Sequence, residues 1–334
     1  MRDNRPVLCC PDKFRGSLRA DEAAAAFARG VERTGRPARV LPLADGGEGT
    51  LAVLCPDPVD VRVARVTGPL GGPVEAAWGL RDGTAVVESA QASGLALVDG
   101  ANDPLAATTR GTGELILLAL EAGAHRVIVA VGGTATVDGG LGALEALELD
   151  LGADVLVACD VETTFVDAAR VFGPQKGADA STVAALEERL ERLADRYRDE
   201  LGLDIRTLRG SGAAGGLAGG LAALGASLCP GAELVAEAVG LDAALAESSQ
   251  AITGEGRFDA TSRAGKVVDH VLGRARAARI PAAIVAGDAD DAAVAALPRG
   301  VPCVTLVSLA GATGDPLRDA ASLAADAAAT VAGG

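Results

Sequence analysis

Lysine is almost missing from this chain. Its 334 residues hold three lysines, Lys13, Lys176 and Lys266, against 27 arginines. Arginine therefore serves wherever a generic positive charge will do. A lysine is kept where a compact ammonium fits and a planar guanidinium does not, as in a narrow phosphate or carboxylate pocket. All three lie in short polar or glycine-containing turns, Pro11–Ser17, Gly173–Gly177 and Arg263–Lys266, although three positions are few enough to arise by chance. Aromatic residues are equally scarce, so layers of small side chains have to pack helices close to a sheet. The net charge of -15 leaves no basic face and argues against non-specific nucleic-acid binding.

Other absences narrow the chemistry. The six cysteines form no C-x-x-C pair and no zinc spacing with the two histidines, so buried reduced thiols are expected. No G-x-S-x-G elbow occurs, and His125 and His270 have no Ser or Cys partner for nucleophilic hydrolysis. No dinucleotide fingerprint follows the first apolar run, and no Gly-Lys-Ser/Thr completes a Walker loop. The N-terminus lacks a signal-like apolar segment, which predicts a soluble cytoplasmic protein without a membrane partner. The uncharged stretch between Arg209 and Glu233 has small-residue spacings at Gly212, Gly216 and Gly220. It is mostly Gly and Ala, and reads as a packed glycine-rich loop and buried helix.

What the chain does have is glycine loops with carboxylates in them. Ala44–Thr50 carries Asp45 and Glu48 among three glycines, Gly132–Gly140 carries Asp138, and Thr253–Asp259 carries Glu255 and Asp259. Each follows a short apolar run, so each is expected just beyond a buried strand. Alone, each reads equally as a solvated turn whose acid caps a helix. Together they predict loops gathered at the carboxyl ends of strands, where open α/β sheets bind ligands.

In chain order, Pro6–Cys10, a helix from Asp21 to about Arg33 and Arg39–Leu43 make a β-α-β start. Val59–Val66, Val74–Leu80 and Thr84–Glu88 look like an antiparallel meander. Thr108–Glu114 opens a helix whose N–H groups, hydroxyls and Arg110 suit an anion as well as simple capping. Strands follow at Val127–Val131 and Asp154–Ala158, the latter leading to Asp160. From Ser181, Val183, Leu186, Leu190, Leu193 and Tyr197 mark an amphipathic scaffold helix. Ala251–Thr253, Pro281–Ala286 and Val301–Ser308 are further strands, with helices at Lys266 to about Ala278 and Pro316–Val331. The expected fold is α/β with two domains. A Rossmann-like parallel-sheet domain is built from both chain ends (1–67 and 250–334), with an inserted mixed-sheet α/β domain (68–249).

Glycine loops, several carboxylates and isolated cations fit phosphoryl transfer, where catalysis is mostly positioning and charge neutralisation. The same segments resemble the bacterial glycerate kinase family. They are Pro11-Asp12…Gly16-Ser17, Ala44–Thr50, Thr67–Gly71, Ala92–Leu95, Thr108–Glu114, Gly132–Gly140, Ala158–Val161, Phe172–Ala178, Gly210–Gly216 and Ile252–Asp259, in family order. The resemblance implies a two-domain kinase that uses ATP and Mg²⁺ to phosphorylate D-glycerate in an interdomain cleft. Carried over by position, it makes Asp138 the expected base and Asp45 the runner-up, with Glu48 and Lys176 also catalytic. Arg110, Ser93, Lys13 and Asp160 would bind substrate, and Asp45 and Asp160 would hold the metal. Gly215, Gly216, Thr253, Gly254, Glu255, Asp259 and Lys266 would form the nucleotide side.

The chain departs from the family pattern in its short Leu141–Ala153 segment and in Glu162–Phe165, where Asn-Pro-Leu is usual. Thr134 and Val137 replace the common Ser and Asn, and Lys13 a common Ser. A kinase for a related small hydroxy acid and a non-catalytic nucleotide- or metabolite-binding relative therefore stay open, as does a homodimer.

Overall fold

The computed structural model describes residues 4–263, 265–311 and 314–333. Eleven strands run in chain order: β1 Val7–Cys9, β2 Ala38–Val40, β3 Val61–Thr67, β4 Pro73–Arg81, β5 Thr84–Glu88, β6 Arg126–Ala130, β7 Asp154–Ala158, β8 Ser227–Cys229, β9 Gln250–Phe258, β10 Ala282–Ala289 and β11 Cys303–Thr305. They form two sheets in two compact units. Unit 1 runs to Asp45 and resumes at Ala232, and unit 2 is Gly46–Gly231.

Unit 1 holds a five-stranded parallel sheet in the order β11-β10-β9-β1-β2. The chain steps one way from β1 to β2 and the other way from β9 to β11. Its direction therefore reverses between β1 and β9. The small side chains called for by the composition are at work beside the sheet. Helix Ala20–Arg33 lies against the closing helix Ala320–Gly333 so closely that a side chain at Gly30 would collide with the Ala325 carbonyl. Phe14 and Phe27, edge to face at 6.1 Å, complete a core made otherwise of Val, Ile and Ala with Cys9 and Leu306.

Unit 2 holds a six-stranded mixed sheet in the order β3-β4-β5-β6-β7-β8. The meander β3-β4-β5 is antiparallel, while β5 to β8 are parallel. Helix Ala180–Leu201 buries Leu186, Leu190, Leu193 and Tyr197 on its predicted face. Those residues pack with Phe165, Leu144, Leu217 and Val157 in one core.

Several expectations need correcting. Strand 61–67 belongs to unit 2, because every residue of it pairs with β4, so the chain divides near 45 rather than 67. On the other side it divides at 231 rather than 249. In the Gly254–Asp259 stretch, all but Asp259 is not loop but the second half of β9, paired with β10 as far as Phe258. Its glycines serve close packing: a side chain at Gly254 would strike the Val285 carbonyl. Strand β8, inside the uncharged stretch, was not foreseen, and only Cys303–Thr305 of 301–308 is strand, with helix Leu306–Ala310 following. Strand β2 stops at Val40, but the chain stays extended: Leu41 N–H donates to Cys9 and Leu43 N–H to Pro11. All six cysteines are free, three of them buried.

Candidate functional site

In unit 2 the parallel strands end along one edge, and the polar residues sit on the loops that leave it. At the end of β5 the buried Glu88 accepts from the N–H groups of Gly49 (2.9 Å) and Leu51 (2.8 Å). This fixes the 46–50 turn, in which Gly46 (φ 84) packs on Ala158 and Gly231 too tightly for any side chain. Glu48, exposed within that turn, makes no hydrogen bond or ion pair among the described residues.

The 132–140 loop leaves β6 and carries two buried charges' worth of contacts. Asp138 Oδ2 accepts from Thr109 N–H and Oγ1–H, both at 2.8 Å, and from Gly142 N–H at 3.3 Å. Its Oδ1 accepts from Gly140 N–H at 3.2 Å. Two helices, Arg110–Glu121 and Leu141–Ala146, begin at these donors. A helix N-terminus attracts an anion, and here the anion is the protein's own Asp138. Burial pushes its carboxyl above the usual range, against the four donors that pull it down.

Lys176 meets the same loop from the turn Pro174–Lys176. Only 4% exposed, its Nζ donates to the Thr136 carbonyl at 2.7 Å and to Thr134 Oγ1 at 3.0 Å. It has no ion pair among the described residues. Burial lowers its ammonium from 10.5 to about 8, with the nearby charge of Asp138 acting the other way. A hydroxyl that accepts from an ammonium keeps its own proton to donate, so Lys176 and Thr134 each retain donor capacity here.

In unit 1 three strand extensions bring carboxylates together at the reversal between β1 and β9, the place where open α/β sheets bind ligands. Asp12 follows β1, Asp45 follows β2, and Glu255 lies in β9. Lys13 Nζ is 3.3 Å from Asp45 and 3.7 Å from Asp12. Burial first, then the charges of Asp45 and Glu255, push Asp12 up to about 7 against the pull of Lys13. Glu255 is likewise raised by burial, opposed by Ser262 and Lys266, and its Oε1 is buried without a partner among the described residues. Lys266 stands just before helix Val267–Ala278, and Asp259 closes a turn with Ser262 at 3.0 Å.

Other expected site residues are engaged differently. Ser93 is fully buried and bonded to Thr112 Oγ1 at 2.8 Å, a scaffold contact. Arg110 is exposed and paired with Glu114 at 3.2 Å on its own helix, so its charge is already matched. Gly215 and Gly216 lie in unit 2 in left-handed conformations (φ 67 and 93), where side chains would strike the Thr136 carbonyl and Gly139. They are packing glycines. Thr253 is buried and donates to the Cys10 carbonyl at 3.0 Å, and Gly254 is closed in by β10. Asp160 is exposed and accepts from Gly231 N–H at 2.7 Å. Asp138, the expected base, takes three donors on Oδ2 and a single one, at 3.2 Å, on Oδ1.

The glycerate kinase family model matches residues 7–152 and 150–333. The chain belongs to the glycerate kinase family. A glycerate 2-kinase of Escherichia coli K12 is 39% identical over 326 residues, spanning 85% of this chain and 86% of that one. An uncharacterised protein of Mycobacterium tuberculosis is 44% identical over 299 residues, spanning 84% and 78%. A crystal structure from Salmonella typhimurium LT2, provisionally called glycerate kinase 2, superposes with a TM-score of 0.85 at 33% identity, covering 99% of this chain and 98% of that one.

The family match is in two pieces that meet at 150–152, within the segment that is short by sequence. There Glu148 and Leu149 take left-handed conformations (φ 51 and 62), an unusual cost for residues with side chains. No described helix is long and apolar enough to cross a membrane. Sequence reasoning gives Asp12 and Glu88 no role of their own. Asp12 lies in a loop singled out for Lys13, and Glu88 ends a recognised strand, so both had a signal.

Proposed function

We propose that the chain transfers the γ-phosphoryl group of ATP to D-glycerate, with Mg²⁺ bound alongside the nucleotide. The observation that carries the reading is Lys176, a buried ammonium with no carboxylate paired to it. An unpaired buried charge costs several kcal/mol, and a substrate that brings its own carboxylate would offset that cost. In unit 2, Lys176 and Thr134 would hold this anion. Glu48, exposed on a rigid turn with its oxygens open, would accept the hydroxyl proton in place of Asp138.

In unit 1, Asp12, Asp45 and Glu255 would face the metal side, with Lys13 and Lys266 toward the phosphates. No group of three possible ligands among the described residues would hold a metal unaided. That suits Mg²⁺, which takes one or two carboxylates and completes its shell with phosphate oxygens and water. The unpartnered Glu255 Oε1 and the mutual repulsion around Asp12 fit a cation there as well. When bound, Mg²⁺ would neutralise phosphate charge during transfer.

By the name of the Escherichia coli relative, the 2-hydroxyl is the proposed acceptor position. The short 141–153 segment favours a second reading, a related hydroxy acid as acceptor. The test is ADP release with Mg-ATP and D-glycerate, L-glycerate, glycolate, lactate or tartronate, with the product's phosphorus position read by NMR. D-glycerate as the preferred acceptor, phosphorylated at carbon 2, is the expected result. Turnover of another acid alone would establish the second reading. ATP binding without turnover of any acid would overturn both.

A further inference from the structure

Asn102 is the residue that joins the two halves of the Lys176 arrangement. Its Nδ2 donates to the Ala135 carbonyl at 2.9 Å and to the Lys176 carbonyl at 2.8 Å. One amide group thus bridges the 132–140 loop and the 174–176 turn. The two carbonyls also settle the orientation of the amide, since a flipped Asn102 would set its oxygen against both.

The other end of the amide makes the purpose plainer. Among the described residues, the buried Asn102 Oδ1 has no hydrogen-bond partner, nor does Thr136 Oγ1 in the bridged loop. Buried acceptors are rarely left unpaired in folded proteins. Thr134 and Thr136 receive Lys176 Nζ on either side of Ala135, whose carbonyl Asn102 holds. Fixing that carbonyl and the Lys176 carbonyl sets both the base of the lysine and the cradle for its tip.

We propose that Asn102 is a positioning residue for the phosphoryl acceptor site, acting through Lys176. It holds the ammonium desolvated beside Thr134, ready for the substrate's carboxylate. This rests on the reading of Lys176 as an anion-binding group. Among charged groups, Asp138 is the one that acts on Lys176, and it is tied to Thr109, Gly140 and Gly142 rather than to Asn102.

Because the chain has only three lysines, the clamp can be read without relying on activity. The full-length protein is treated with an amine-acetylating ester, and labelling of Lys13, Lys176 and Lys266 is followed by peptide mass spectrometry. In the wild type Lys176 should react far more slowly than the other two. Asn102→Leu, which keeps the bulk and removes both donors, should speed Lys176 labelling about tenfold and leave Lys13 and Lys266 unchanged. The same variant should raise KM for D-glycerate by a similar factor with a smaller change in kcat. Asn102→Ser, smaller and polar, gives a second test should the leucine variant fail to show a native circular-dichroism spectrum.

Unchanged Lys176 labelling in a folded Asn102 variant would overturn the clamp. Faster labelling with KM unchanged would overturn the link to the acceptor site. Faster labelling in a protein that phosphorylates no hydroxy acid would support the clamp and sink the kinase reading instead.

Discussion

Asp138 and Lys176 are opposite charges buried against one glycine-rich loop, and the fold treats them in opposite ways. Asp138 is surrounded by four donors from two helix starts and the loop itself. Lys176 receives one carbonyl and one hydroxyl, and no carboxylate pairs with it. A charge whose partners are complete is part of the framework. A buried charge short of its counter-ion carries a desolvation cost that an opposite charge on a ligand would offset. Motif position alone sets Asp138 first among the catalytic residues; its hydrogen bonds set it apart from Lys176.

The sharpest way to break this contrast is at Asp138. Asp138→Ala should destabilise the protein by about 3–5 kcal/mol in urea unfolding, since it orphans four buried donors and removes the one negative charge acting on Lys176. Asp138→Asn should lose less stability, and its activity per folded molecule should fall far less than the roughly 10²–10⁴-fold expected on removing a general base. A stable but dead Asp138→Asn enzyme would restore Asp138 as the base.

The next effect is in pH. Burial lowers Lys176 to about 8, so kcat/KM for the acceptor should decline as pH rises through 8, chiefly through KM. Stability should respond with the opposite sign. Between pH 8 and the ordinary lysine value of 10.5 the unfolded chain binds a proton that the folded chain has shed, so folding gains as pH rises. The full difference is about 3 kcal/mol, measurable as the change with pH in the stability gap between wild type and Lys176→Met. The smallest effect belongs to Arg110, whose exposed pair with Glu114 should make Arg110→Ala neutral within about 0.5 kcal/mol by thermal unfolding.

The fold was legible wherever periodicity spoke for itself. Helix Ala180–Leu201, the β3-β4-β5 meander and the parallel sheet drawn from both chain ends all followed from apolar spacing. Glycines were harder to read. A glycine that makes a turn, as at Gly46 and Gly49, and one that lets two backbones touch, as at Gly254 and Gly215, look the same in sequence. Part of β9 therefore reads as a loop in sequence, and the close packing of Gly215 shows only in three dimensions. Scarcity of lysine pointed to Lys176 because composition had made lysine informative. Asn102 lay in an ordinary polar turn, and its importance comes from two carbonyls that meet it only in three dimensions.

The measurement that tests the account most directly is Lys176→Met, followed in parallel for stability and for acceptor kinetics at pH 7. The account predicts unfolding stability equal to or above wild type, because a desolvated charge has been removed. It also predicts a loss of about 10²–10³-fold in kcat/KM for D-glycerate, as for removing a buried charged contact. A variant that is several kcal/mol less stable yet keeps its kcat/KM would show that Lys176 is a structural pin, and would contradict the central claim.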